Sequence, residues 1–285
     1  MTKILIVGLG KIGQGLGVRL IAAGHDVLGL RRQPPENRLK EIKVVTGDIR
    51  RARDVESLET DFDHVIFSVA ADRREEASYR AIYDIGLGHL LDLFSTAARK
   101  PQWIFVSSTT VYGQSQGEWV DEGSPTAPNR PTGNIILQAE QRVLANRPEN
   151  IVVRFSGIYG PGREGLLRRT KNTESVQVNP PYYTNRIHQD DCVGVLHFLL
   201  EKQMAGDTLD RCYVASDDAP APKHEVMWWL ADRMHCPRAP AKPATKEMSQ
   251  NKRCSNKRLK SLGFRFEYPT YREGYLPLVR SLWSD

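Results

Sequence analysis

The 285-residue chain has few cysteines, no long apolar run and no internal repeat, and each absence removes a class of protein. Its four cysteines (Cys192, Cys212, Cys236, Cys254) lie 20, 24 and 18 residues apart, with no C-x-x-C pair. Thiols scattered in this way fit a reduced, cytoplasmic protein and argue against a disulfide framework or a zinc site, so no metal is expected. No apolar run approaches the ~20 residues of a membrane span. The apolar start, residues 4–7, is cut by glycines and Lys11 and has no small-residue cleavage site, so it reads as a strand rather than a signal peptide.

What is present fits a soluble α/β protein, with 40% hydrophobic and 26% charged residues. Forty Lys and Arg against 34 Asp and Glu leave a net charge of +6. The excess is concentrated in two stretches. Residues 31–54 hold eight basic and four acidic side chains, and residues 246–260 hold six basic and one acidic. Neither stretch carries a nucleic-acid motif, and 246–260 has no aromatic residue for base stacking. The expected partner is therefore a small anionic molecule, with no nucleic acid and no membrane.

Short apolar runs alternate with helical patterns, the signature of βαβ units on a parallel sheet. Strands are predicted at 3–7, 26–30, 43–46, 64–68, 102–107, 151–155 and 211–215. Helices are predicted at 11–23, 75–98, 133–145, 189–201 and 225–234. The expected architecture is a doubly wound parallel sheet of Rossmann type over 1–160, completed by about 186–215. Residues 161–185 and 216–285 form a smaller α+β region for substrate.

Gly8-Leu9-Gly10-Lys11-Ile12-Gly13 is a G-x-G-x-x-G that follows a predicted strand and opens a helix. Glycines there allow a tight turn and a close backbone approach to a pyrophosphate, while the helix N-terminus offers free N–H groups. Where an NAD site carries an acid, at the end of strand two, this chain has Arg31 and Arg32. Two guanidiniums suit a 2′-phosphate, so the expected cofactor is NADP(H), with NAD(H) as the alternative. The competing reading of the pair is a solvated loop.

Further motifs follow at ordered separations: Gly47-Asp48, Ser68 to Ala71, Ser107-Ser108-Thr109-Thr110-Val111-Tyr112-Gly113, Arg154 to Gly162, and Asn185-Arg186-Ile187-His188-Gln189-Asp190-Asp191. With the glycine loop they resemble the extended short-chain dehydrogenase/reductase family, also called the NAD-dependent epimerase/dehydratase family. The resemblance runs from residue 1 to about 200, and more weakly over 255–264. It implies that Asp48 and Ile49 contact adenine, that Ala70, Ala71 and Ser107 line the cofactor, and that Ser108 is the catalytic hydroxyl. It places substrate near Ser108, Thr109, Arg163 and Arg186, and Tyr183 is a candidate to stack on a substrate ring. Pairing into a homodimer through helices corresponding to 75–98 and 133–145 would also follow relatives.

The family's Tyr-x-x-x-Lys pair is missing. The alignment puts Thr132 and Ile136 in its two places, and no shift repairs it, because residues 113–158 hold no Tyr and residues 101–170 no Lys. An unaided aliphatic alcohol titrates too high to act as a general base, and Ile136 carries no charge. Tyr112 and His188 are the alternative candidates for proton transfer. Two functions stay open. One is an NADP(H)-dependent oxidoreductase or epimerase-like enzyme with non-standard acid/base chemistry, acting on an anionic or nucleotide-sugar-like substrate. The other is a catalytically inactive cofactor-binding regulator or redox sensor.

Overall fold

Seven short strands with wholly buried apolar runs form the central sheet. The computed structural model describes residues 1–34, 42–244 and 250–283. The strands are β1 (Lys3–Val7), β2 (Asp26–Arg31), β3 (Lys43–Thr46), β4 (His64–Phe67), β5 (Gln102–Ser108), β6 (Ile151–Phe155) and β7 (Cys212–Ala215), in the spatial order β7-β6-β5-β4-β1-β2-β3. β1 pairs in parallel with β2 on one side and β4 on the other, at Lys3 to Asp26 and Ile4 to His64. β2 and β3 are parallel, as are β4 and β5. Ile4 to Val7, Val65 to Phe67 and Trp103 to Phe105 are wholly buried, the continuous apolar reading of strands covered on both faces.

Strand order runs outward from β1 in one direction through β2 and β3, then in the other from β4 onward. The C-terminal ends of β1 and β4 therefore flank the switch point where doubly wound sheets hold ligands. This is the expected doubly wound fold.

The chain divides into two units. The first comprises Met1–Val111, Pro128–Arg154 and Val193–Tyr213. Its helices include α1 (Lys11–Ala22), α2 (Leu87–Ser95) and α3 (Pro131–Asn146). The helix expected over 75–98 differs from the 3.6-residue pattern: Glu76–Tyr79 and α2 are joined by Arg80–Gly86 wound as a π-helix. The π turn ends at Gly86, where the backbone runs close to a neighbouring segment. A Cβ there would stand 2.7 Å from Cγ1 of Ile49, so the wider turn coincides with a close approach to the segment after β3.

The second unit comprises Tyr112–Ala127, Phe155–Cys192 and Val214–Asp285. Short strands tie it together, among them Gly157–Tyr159 beside Arg186–His188 and Glu118–Val120 beside Lys252–Cys254. Its core gathers Tyr159, Leu167, Val226, Leu230, Tyr271 and Tyr275. Gly165–Lys171 is a helix that the aperiodic sequence over 161–188 does not announce.

Candidate functional site

The glycines of the first loop have three different jobs. Gly8 has φ +98°, donates its N–H to the Leu30 carbonyl at 2.9 Å, and would bring a Cβ to 2.8 Å from the Ser68 carbonyl oxygen. Gly13 would bring a Cβ to 2.2 Å from the Gly8 carbonyl oxygen, so helix α1 can approach the loop only with hydrogen at that position. Gly10 stands at the N-cap of α1 with nothing within 4 Å of its Cβ position. No side chain caps α1, and its first turn holds no acid. Lys11 is exposed and Ile12 is buried, so the backbone N–H groups of the first turn face an open, uncapped helix end. That combination fits a pyrophosphate.

Arginine–carboxylate pairs crowd the ends of β2, β3 and β4. Arg32 grips Asp72 through two hydrogen bonds, Nη1 to Oδ2 at 2.6 Å and Nη2 to Oδ1 at 2.5 Å. Arg50 grips the buried Asp48, with Nε 2.8 and 3.0 Å from its two oxygens and Nη2 at 2.5 Å. Each guanidinium holds its carboxyl below the usual carboxylate range. Arg31 makes no side-chain hydrogen bond or ion pair among the described residues, and Ile49 is buried beside Asp48. Ala70 is exposed and Ala71 half-buried, and Tyr83 from the π-helix donates its hydroxyl to the Val69 carbonyl at 3.1 Å. Asp72 and Arg50 were not singled out by the sequence, although an acid directly after Ala70-Ala71 is a readable signal.

At the end of β5, buried Ser107 donates its hydroxyl to Glu140, which is 1% exposed and is held by Arg154 through Nε at 3.0 Å and Nη2 at 2.6 Å. Ser108 is half-buried, and its Oγ accepts the Thr110 N–H at 3.2 Å; Thr109 is buried. A Cβ on Gly133 would meet the Thr110 carbonyl oxygen at 3.0 Å, so the first turn of α3 lies against the turn after Ser108. Thr132 is half-buried there and Ile136 is 4% exposed. Ile136 is an apolar packing position.

In the second unit, Tyr112 is wholly buried, and its carbonyl accepts the Lys252 ammonium at 3.1 Å. Lys252 is itself 1% exposed, and burial pushes its amine down to about 8. Arg163 is exposed and Tyr183 half-buried. Arg186 is buried, with Nη2 donating to Thr184 Oγ1 and its guanidinium 5.4 Å from the Tyr271 ring centroid. His188 is 3% exposed and sits between Tyr159 and Tyr268, with ring centroids at 5.2 and 4.0 Å; its Nδ1 accepts the Asp190 N–H. Burial lowers its pKa, and the nearby Asp190 carboxylate opposes that shift. Asp191 accepts the N–H groups of Glu267 and Tyr268.

Several cations of the basic stretch are engaged inside this unit. Arg253 lies 5.1 Å from the Trp119 ring and 4.8 Å from the Tyr183 ring, Arg258 approaches Glu122 at 3.6 Å, and Lys260 pairs with Asp218 at 2.9 Å. Lys246 and Glu247 lie outside the described residues.

Comparison with known proteins places these observations in a wider set. The NAD dependent epimerase/dehydratase family pattern matches residues 4–214. Protein YeeZ of Escherichia coli (strain K12) is 27% identical over 279 residues, 94% of this chain and 97% of its own. A solved Methylobacillus flagellatus protein classed with the NAD-dependent epimerase/dehydratases superposes at TM-score 0.82 with 33% identity, covering 99% of both chains. The UDP-glucose 4-epimerase of Thermotoga maritima, solved with UDP-glucose, has TM-score 0.78 at 20% identity over 98% and 97% of the two chains, a likeness of fold alone. Among the described residues, no helix is long and apolar enough to cross a membrane.

Proposed function

The chain belongs to the NAD-dependent epimerase/dehydratase family, and from that membership we propose that it is an NADP(H)-dependent oxidoreductase or epimerase-like enzyme that works without the Tyr-x-x-x-Lys pair. The observation that carries the reading is the uncapped N-terminus of α1 opening on clear space beside Gly10. Arg31 and Arg32, standing where an NAD site has an acid, support the phosphorylated dinucleotide.

When bound, a nicotinamide supplies hydride exchange. The chain's own contribution is placement and polarisation. Gly8, Gly10, Lys11, Ile12 and Gly13 hold the pyrophosphate, Asp48 and Ile49 the adenine end, and Ala70, Ala71 and Ser107 the wall of the site. Ser108 keeps a half-exposed hydroxyl at the end of β5 and donates it to a substrate carbonyl, stabilising charge that develops on that oxygen. Tyr112 and His188, both buried, act as structural side chains in this reading. The exposed Arg163 and half-buried Tyr183 are its substrate contacts, Arg163 suiting a small anionic or nucleotide-sugar-like substrate, while Thr109 and Arg186, buried like Tyr112 and His188, act as structural side chains.

A second reading, a regulator that binds dinucleotide without turnover, is favoured by buried Ile136 in the lysine's place. Calorimetric titration with NADP and NAD, followed by NADPH consumption over a panel of carbonyl compounds and nucleotide sugars, separates the two. Turnover that Ser108→Ala abolishes supports the enzyme. Tight dinucleotide binding with no turnover on any panel member supports the regulator, and no dinucleotide binding ends both.

A further inference from the structure

We infer that Asp72 is a specificity-determining residue that holds down the chain's preference for a phosphorylated dinucleotide by sequestering one of the two arginines after β2. The inference rests on the proposed use of NADP(H). It begins from an inequality between Arg31 and Arg32, which the sequence presents as equivalent.

Arg32 is engaged fork to fork with Asp72, a geometry that fixes both side chains and uses the face of the guanidinium that a phosphate would take. The two side chains are 43% and 46% exposed, so nothing in the packing forces the pair together. Arg50 and Asp48 form a second such pair close enough to act on the first: Arg50 lowers the proton affinity of Arg32, and Asp48 raises that of Asp72. Of Arg31, Arg32 and Arg50, Arg31 makes no side-chain hydrogen bond or ion pair among the described residues. Arg31, Arg32 and Arg50 thus share the ends of β2 and β3 with Asp48, and Asp72 stands directly after the exposed Ala70 and half-buried Ala71 that the reading assigns to the cofactor wall.

A 2′-phosphate arriving beside Arg31 and Arg32 meets a carboxylate already engaged by Arg32, which repels it. A 2′-hydroxyl meets in Asp72 an acceptor of the kind that NAD sites supply from the end of β2. Asp72 therefore works against the two arginines and keeps NAD(H) within reach of a site whose sequence points to NADP(H).

The test is equilibrium titration of NADP and NAD, by calorimetry or dinucleotide fluorescence, on the wild type, Asp72→Asn, Arg32→Gln, Arg31→Gln and the Asp72→Asn/Arg32→Gln double variant. Asp72→Asn is expected to tighten NADP about fivefold to tenfold while leaving NAD unimproved, and the gain should shrink at high salt because the pair is half-exposed. Arg32→Gln alone should change NADP affinity less than Arg31→Gln does, and in the double variant it should cancel the gain made by Asp72→Asn. Binding of both dinucleotides with a ratio unmoved by Asp72→Asn overturns the inference and leaves the proposed function standing. Binding of neither by the wild type overturns both.

Discussion

The Tyr83 hydroxyl, carried on a π-helical turn, donates to the Val69 carbonyl across 3.1 Å and so ties the helix after β4 to the loop that precedes Asp72. The backbone of Ala71 also acts on this phenol, and burial holds it firmly protonated. One hydroxyl thereby braces the whole 69–71 segment. Removing it in Tyr83→Phe should cost about 1 kcal/mol of hydrogen bonding. If that brace positions the cofactor wall, dinucleotide affinity should fall severalfold. Thermal denaturation and dinucleotide titration of the same variant check this. A lowered midpoint with unchanged affinity would make Tyr83 purely structural.

Gly13 and Gly10 should respond to alanine in opposite ways. Gly13→Ala puts a Cβ 2.2 Å from a backbone oxygen that cannot retreat, so it should lower the melting temperature as well as dinucleotide binding. Gly10→Ala adds a methyl to open space, so it should leave the melting temperature within a degree or two and weaken binding alone. Differential scanning fluorimetry with and without NADP reads both effects.

Glu140 is the counterion that keeps Arg154 tolerable in the interior, and it also receives the Ser107 hydroxyl. Glu140→Ala strands a buried guanidinium and should cost roughly 3–5 kcal/mol of stability in chemical denaturation. Glu140→Gln keeps the acceptor oxygen and should cost clearly less. Equal losses for the two would show that volume, not charge, matters there.

Two buried carboxyls give the second unit a pH dependence of definite sign. Burial pushes Asp217, 1% exposed, up to about 7 and Asp191 up to about 6. Both are raised, so the folded state retains protons that the unfolded chain releases. Their contribution to stability is full below about 4 and is lost as the pH rises through 6 to 7. His64, pushed down to about 4 from 6.5, has the opposite slope: its contribution is present above 6.5 and lost as the pH falls through 4. The clean observable is the difference between Asp217→Asn and wild type in urea-denaturation free energy. It should grow in favour of the variant between pH 5 and 8, by on the order of 2 kcal/mol. A pH-independent difference would mean that Asp217 does not titrate in this range.

Legibility in the sequence follows the range over which each feature is determined. β1, the glycine loop and α1 are set within about two dozen residues, by an apolar run, glycines and a 3.6-residue stripe, and the strand order follows from right-handed crossovers. The π-helical turn was hidden because Glu76 to Ser95 still shows an apolar pattern, and what accompanies the wider winding is the contact of Gly86 with Ile49. The Arg32–Asp72 pair spans 40 residues, and no local pattern marks Asp72 as a partner. The pairing of Glu118–Val120 with Lys252–Cys254 is only three residues long and joins segments more than 130 positions apart. A basic run such as Lys252-Arg253 reads as solvated, and only the fold reveals that its lysine is interior.

That interior lysine changes how the protein's charge should be counted. The Lys252 ammonium is buried, the Arg253 guanidinium lies against two rings and Lys260 is paired with Asp218, so three of the stretch's cations are held in place by the fold. The described part of the stretch that is most basic on paper therefore offers a polyanion fewer mobile cations than its formula suggests. Retention on a cation exchanger should accordingly fall short of what the formal +6 implies.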